Sequence, residues 1–190
     1  MAKTKTGDRP VVLITGTSSG VGFHTALRFA AAGYVTVASM RDTSKKKPLV
    51  EKAKAAGHKL FIERLDVASK TSVKAAVKRV LKRHGRIDVL VNNAAAGRGA
   101  QSLIGLSIGG WNQTLAVNLT GALLCAQAFA GQMIKTQRGG SIVNVASITG
   151  HLPLPLGGAY SVSKAGMLMM SKVLALELAP HGIRSNVVSP

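Results

Sequence analysis

Short apolar runs alternate with longer stretches of helical periodicity from one end of the chain to the other. Val11 to Thr15 reads as a strand and Gly20 to Ala32 as a helix; Tyr34 to Ser39 reads as a strand and Thr43 to Ala56 as a helix. Strand Leu60 to Leu65, a basic helix from Lys70 to His84 and strand Val89 to Asn92 follow. Beyond an irregular stretch rich in glycine and serine come a long helix from Trp111 to Met133 and strand Ser141 to Ala146. A loop with Pro153 and Pro155, a helix from Ala159 to Ala179 and strand Ile183 to Val188 complete the series. Strands apolar on both faces, each followed by a helix, predict a parallel sheet covered on two sides. The fold class is therefore α/β, a doubly wound three-layer sheet of six strands. No repeat or linker interrupts it, so residues 1–190 read as one domain, with 1–9 a basic N-terminal tail.

Composition narrows the classes. With 46% of 190 residues apolar, disorder is excluded. No apolar run approaches the roughly 20 residues of a spanning helix, and Val11 to Ile14 is too short for a signal-peptide core. A cytoplasmic protein without membrane contact is expected, with no metal. Cys125, alone of its kind and set among Leu123, Leu124 and Ala126, reads as a small core residue.

Charge adds a feature that the fold does not require. The formal net charge is +18, and Lys70, Lys74, Lys78 and Lys82 recur at every fourth position with Arg79, Arg83 and Arg86 alongside. Such a stripe attracts polyanions. No aromatic residues interleave it and no nucleic-acid motif accompanies it, so a solvated face is favoured and nucleic acid is not expected as a partner.

Candidate chemistry lies at two places. Thr15-Gly16-Thr-Ser18-Ser19-Gly20-Val21-Gly22 follows the first strand and opens the first helix. Glycines there let the backbone approach a pyrophosphate, and the helix N-terminus supplies free N–H groups. At the end of the second strand an acidic residue would suit NAD, whereas an arginine accommodates the 2′-phosphate of NADP. The chain reads Met40-Arg41-Asp42, so Arg41 points to NADP(H), with NAD the weaker reading, and Asp42 reads as the cap of the following helix. Farther on, Tyr160 and Lys164 are one helical turn apart, with Ser147 upstream at the end of an apolar run. A phenol of pKa about 10 is a poor acid or base until a fixed cation favours its phenolate.

With these motifs in place the chain resembles the short-chain dehydrogenase/reductase family. The resemblance rests on Thr15 to Gly22, Leu65-Asp66-Val67, Asn92-Asn93-Ala94, Val117-Asn118, Ser147, Tyr160-Ser-Val-Ser-Lys164 and Asn186-Val-Val-Ser-Pro190, in that order. It implies an NADP-dependent oxidoreductase acting on a ketone or secondary alcohol. Gly16, Ser18, Ser19, Gly20, Val21 and Gly22 would cradle the cofactor, with Arg41 at its 2′-phosphate. Asp66 and Val67 would hold the adenine; Asn93, Ala94 and Pro190 would line the nicotinamide end. Tyr160 would exchange the proton, Ser147 would hold the carbonyl oxygen, Lys164 would bind the ribose and lower the Tyr160 pKa, and Asn118 would hold a water linked to Lys164. A homo-oligomer, dimer or tetramer, is implied for the full-length chain.

Three departures from the family pattern carry expectations. Ala95 stands where glycine is usual, and could crowd the backbone. The segment Gln101 to Gly110 lacks the usual acidic residues, so the approach to Trp111 is expected to be poorly formed. The chain stops at Pro190, where the family continues with a glycine, a lid and a final strand, so a fragment with an uncovered substrate pocket is expected. Two competing functions follow: a catalytically impaired NADP-binding protein, and a polyanion-binding protein on the same fold. The substrate stays open between steroid- or retinoid-like ketones and oxoacyl groups.

Overall fold

A computed structural model describes residues 9–97 and 102–190. The tail predicted for 1–9 lies, up to residue 8, outside the described residues, as does Gln101 at the start of the approach to Trp111.

Six strands form one parallel sheet: β1 (Val11–Ile14), β2 (Val35–Met40), β3 (Leu60–Arg64), β4 (Val89–Asn92), β5 (Gly140–Val145) and β6 (Ile183–Val188). Their order is β3-β2-β1-β4-β5-β6. The chain builds outward from β1 in one direction, then returns past it and builds outward in the other. In register, Val12 lies between Thr36 of β2 and Val89 of β4. The connections leaving β1 and β4 therefore diverge and open a crevice above the carboxyl ends of these strands.

The binary pattern explains the layers. All four residues of β1 and all six of β2 are buried, as strands covered on both faces must be. Helices α1 (Gly20–Ala31) and α2 (Lys47–Ala55) cover one face, bringing Ala26 and Leu49 onto Val12, Ile14 and Ala38. On the other face α3 (Lys70–His84), α5 (Gly121–Thr136) and α6 (Gly158–Leu178) bring Val73, Val77, Phe129, Met133 and Leu174 onto Leu13, Leu90 and Ile142. Phe129 is fully buried, and its truncation to alanine would cost about 3–5 kcal/mol. The edge strand β6 instead alternates buried Ile183 and Ser185 with exposed Arg184 and Asn186.

The long helix departs from its sequence reading in two ways. It starts at Ile108, as α4 (Ile108–Leu115), because the Ser107 hydroxyl caps it by accepting the Gly110 N–H at 3.1 Å. The approach to Trp111 is thus formed without the acidic residues whose absence suggested otherwise. It also runs through a π-helical turn, Ala116–Thr120, into α5, giving a 29-residue helix whose mean hydropathy reaches 1.4 over one window. By length and composition this helix is apolar enough to cross a membrane, which the sequence reading had excluded. Its apolar side covers the sheet through Cys125, Ala126, Phe129 and Met133.

Candidate active site

The crevice between β1 and β4 holds a cavity of about 390 Å³. Gly16, Ser18, Ser19, Gly20, Val21, Arg41, Asp66, Val67, Asn93 and Ala94, all predicted to meet a cofactor, line it. Gly22 does not, and its part is to let α1 pack closely: a Cβ there would strike Asn93 Nδ2 and the Gly16 carbonyl.

Hydrogen bonds from β4 lock the glycine loop. Thr15 Oγ1 accepts the backbone N–H groups of Asn93 and Ala94, each at 3.0 Å. The Asn93 Nδ2 in turn donates to the carbonyls of Thr15 and Gly16, each at 2.9 Å. At Gly16, with φ of 70°, an added Cβ would lie 2.7 Å from the Ala94 Cα, so only glycine fits. Ala95 needs no left-handed backbone, since Gln137 and Leu156 are the non-glycine residues with positive φ among those described. The backbone there accommodates an alanine without left-handed strain.

The residues present suit a dinucleotide. Ser19, at the N-cap of α1, makes no side-chain cap hydrogen bond, so the first-turn N–H groups stay available beside the cavity for an anion. Arg41 lines the cavity, and Asp42 serves the next turn instead. Hydrogen bonds from the Ser44 hydroxyl at 2.7 Å and its N–H at 3.0 Å hold the Asp42 carboxyl below its usual range. Asp66 is tied to its own loop, accepting the Ala68 N–H at 3.1 Å.

A second cleft, of about 260 Å³, is lined by Val21, Val145, Ala146, Ser147, Tyr160 and Pro190. Val21 belongs to both hollows, so the two adjoin at the start of α1. Ser147 leaves β5 in extended conformation, and its Oγ accepts the Thr149 N–H at 3.4 Å. Lys164, 1% exposed, donates to the Val145 carbonyl at 2.6 Å and holds its Nζ 5.6 Å from the Tyr160 ring centroid. The Pro190 carbonyl accepts the Ile148 N–H at 3.0 Å, fastening Pro190 beside the cleft. Gly150 allows this packing, because a Cβ there would sit 2.9 Å from the Lys164 backbone carbon.

Asn118 sits fully buried in the π-helical turn and joins the two hollows. Its Oδ1 accepts the Ala96 N–H at 2.7 Å, and its Nδ2 donates to the Ala96 carbonyl at 3.0 Å and to Ser163 Oγ at 2.9 Å. Ser163 then donates to the Tyr160 carbonyl at 2.7 Å. The wall of the nucleotide cavity is thereby bolted to the turn of helix that carries Tyr160. Sequence reading gave Ser163 and Thr15 no role of their own, although both lie inside the motifs that it quoted.

A parallel sheet of this order, with a glycine cradle at its switch point and a tyrosine–lysine pair next to the cradle, defines a dinucleotide-dependent oxidoreductase. The short chain dehydrogenase model matches residues 10–190. The chain belongs to that family, whose activity is hydride transfer between NAD(P)H and a carbonyl or alcohol. It is 42% identical over 184 residues to a (2S)-[(R)-hydroxy(phenyl)methyl]succinyl-CoA dehydrogenase subunit, BbsD, of Thauera aromatica, covering 95% of this chain and 71% of the relative. It is 40% identical over 180 residues to the 3-oxoacyl-[acyl-carrier-protein] reductase FabG of Thermotoga maritima, covering 95% and 72%. A metagenomic short-chain oxidoreductase solved in complex with NADP superposes with a TM-score of 0.89 at 34% identity, covering 95% of this chain and 81% of the other.

Proposed function

We propose that the chain binds NADP(H) in the larger cavity and reduces a ketone, or oxidises the matching secondary alcohol, in the adjoining cleft. The observation that carries this reading is the junction of the two hollows at Val21, with Ser147 and Tyr160 in the second. The bound cofactor supplies or accepts the hydride. Arg41 pairs with the 2′-phosphate, the Gly16–Gly22 loop and the α1 N-terminus hold the pyrophosphate, and Asp66 and Val67 hold the adenine. Asn93, Ala94 and Pro190 border the nicotinamide end, and the Lys164 ammonium hydrogen-bonds the ribose.

Within the cleft, the Tyr160 hydroxyl delivers a proton to the carbonyl oxygen during reduction and takes it back during oxidation. Ser147 Oγ–H donates to the same oxygen as negative charge develops there. Lys164 sets a cation at the Tyr160 ring that offsets phenolate charge. Asn118 positions Tyr160 through Ser163 and also holds a water on the path to Lys164.

The substrate is flanked by apolar groups. Ile148, Leu152, Leu154 and Leu156, on the segment between Ser147 and Tyr160, are each at least half exposed, and no acidic or Lys/Arg side chain stands among them. The names of BbsD and FabG describe acyl thioesters, which join a carbonyl to such a chain. NADPH oxidation measured over aryl and alkyl ketones and 3-oxoacyl thioesters tests the reading. Consumption rising with acyl length supports it, whereas NADPH binding without turnover of any ketone would leave a binding protein. Self-association is proposed through α6, where Val162, Met169, Val173 and Leu176 form an exposed apolar stripe. Sedimentation should show a dimer or larger that Leu176→Glu dissociates; an unchanged monomer would end that proposal.

A further inference from the structure

The basic stripe of α3 is not absorbed by the nucleotide chemistry, since none of its residues lines either hollow of the site. Lys70, Lys74, Lys78 and Lys82 stack at i,i+4, an arrangement in which each like-charge neighbour destabilises the helix. Ion pairs among the described residues do not relieve it: Arg79 pairs with Glu63 at 2.6 Å and Arg86 with Asp88, leaving those four lysines without a carboxylate partner. His84, at the end of the helix, is pushed towards its neutral form by burial and by Arg83, so lysine and arginine carry the charge.

Between α3 and α5 lies a groove of about 260 Å³, lined by Lys74, Val77, Lys78, Leu81, Ala128 and Gln132. Its floor is apolar and recessed, and its rim is cationic. Neither α3 nor α5 carries an acidic residue, and α5 ends in Lys135 with Arg138 close behind.

We infer that this groove docks an acidic protein partner, an amphipathic helix that seats an apolar side chain against Val77, Leu81 and Ala128 and sets carboxylates against Lys74 and Lys78. Charge complementarity selects the occupant. A second copy of this chain would bring its own cationic face to the contact at a net charge of +18, so self-association belongs elsewhere. A bilayer is disfavoured because no large exposed hydrophobic residue projects from α3 or α5 to insert. Nucleic acid is disfavoured because α3 has no Phe, Tyr or Trp, its His84 ring is engaged edge-to-face with Phe61, and Phe129 of α5 is buried. A helix with apolar residues at i and i+4 between glutamates matches both the floor and the rim.

The test uses the whole chain and a labelled helical peptide with leucines at i and i+4 flanked by glutamates, read by fluorescence anisotropy at physiological salt. A scrambled isomer of the same composition separates the groove from bulk charge. The ordered peptide is expected to bind about tenfold tighter than the isomer, and Lys74→Glu with Lys78→Glu to weaken it by about tenfold or more while NADPH affinity is unchanged. Ala128→Arg, which fills the groove without removing a lysine, should weaken the ordered peptide alone. Equal binding of the two peptides, no effect of these variants, or displacement of the peptide by duplex DNA or phosphatidylserine vesicles would overturn the proposal.

Discussion

The glycine loop and the segment from Ser147 to Tyr160 both use left-handed backbone, but they fill it differently. In the loop the positive-φ positions are Gly16 at 70° and Gly20 at 62°, where glycine adopts the conformation without steric cost. In the other segment Gly158 takes φ of 49°, but Leu156 also takes φ of 60°, a conformation that costs a side chain with Cβ about 1–2 kcal/mol. The first region gives up side chains so that its backbone can meet a ligand. The second keeps a leucine despite the cost. Under the proposed function, the cofactor would be held by main chain and loop geometry, and the substrate by apolar side chains around the cleft.

The largest expected effect tests the backbone side of this contrast. Gly16→Val should abolish measurable NADPH binding in a fluorescence titration, because the loop must move away from Ala94 and unlock from Asn93. Retained affinity would show that the close approach is dispensable. Arg41→Asp should weaken NADPH by about tenfold to a hundredfold, the scale of one lost charge-assisted contact, with NADH little changed. Equal losses for both cofactors would remove Arg41 from the 2′-phosphate.

On the side-chain half, Leu152→Gln with Leu154→Gln should raise KM for an apolar ketone severalfold, about 1 kcal/mol in total for two leucines that are half exposed, and leave NADPH affinity alone. Leu156→Gly should stabilise the fold by up to about 1 kcal/mol through release of the left-handed leucine, while also raising KM. A fall in Tm would show that its packing outweighs its backbone cost.

The smallest effect concerns Cys125, whose thiol is pushed up to about 12 by burial. The folded state then holds that proton more tightly than the unfolded chain. Its contribution to stability is full below the ordinary thiol pKa and is lost as pH rises towards 12. Alkylation of Cys125 at pH 8 should be slow in the folded protein and fast in denaturant.

The sheet was legible in the sequence because its central strands are continuously apolar and its helices are periodic, patterns that local burial imposes on composition. Most residues of the larger cavity were legible for a related reason: the glycine motif must follow one strand and open one helix. Most of what escaped was set by contacts between distant segments: the bolt from Asn118 to Ser163 and the brace from Asn93 to Gly16 join residues far apart in the chain. The capping by Ser107 is local, reaching only Gly110, and lies in a glycine- and serine-rich stretch without periodic pattern. The span of the 29-residue helix also escaped, since its polar positions, Asn118 among them, break the apolar run that a linear reading counts.

The most direct test is a paired measurement on Tyr160→Phe, comparing NADPH affinity with ketone turnover in the same preparation. If the two adjoining hollows do separate work, as proposed, turnover should fall by about a thousandfold or more, in the range of a lost proton-transfer group. NADPH affinity should stay within about twofold, since Tyr160 lines the second cleft and not the larger cavity. Unchanged turnover, or a collapse of NADPH binding that accounts for the lost activity, would contradict the assignment of proton transfer to Tyr160.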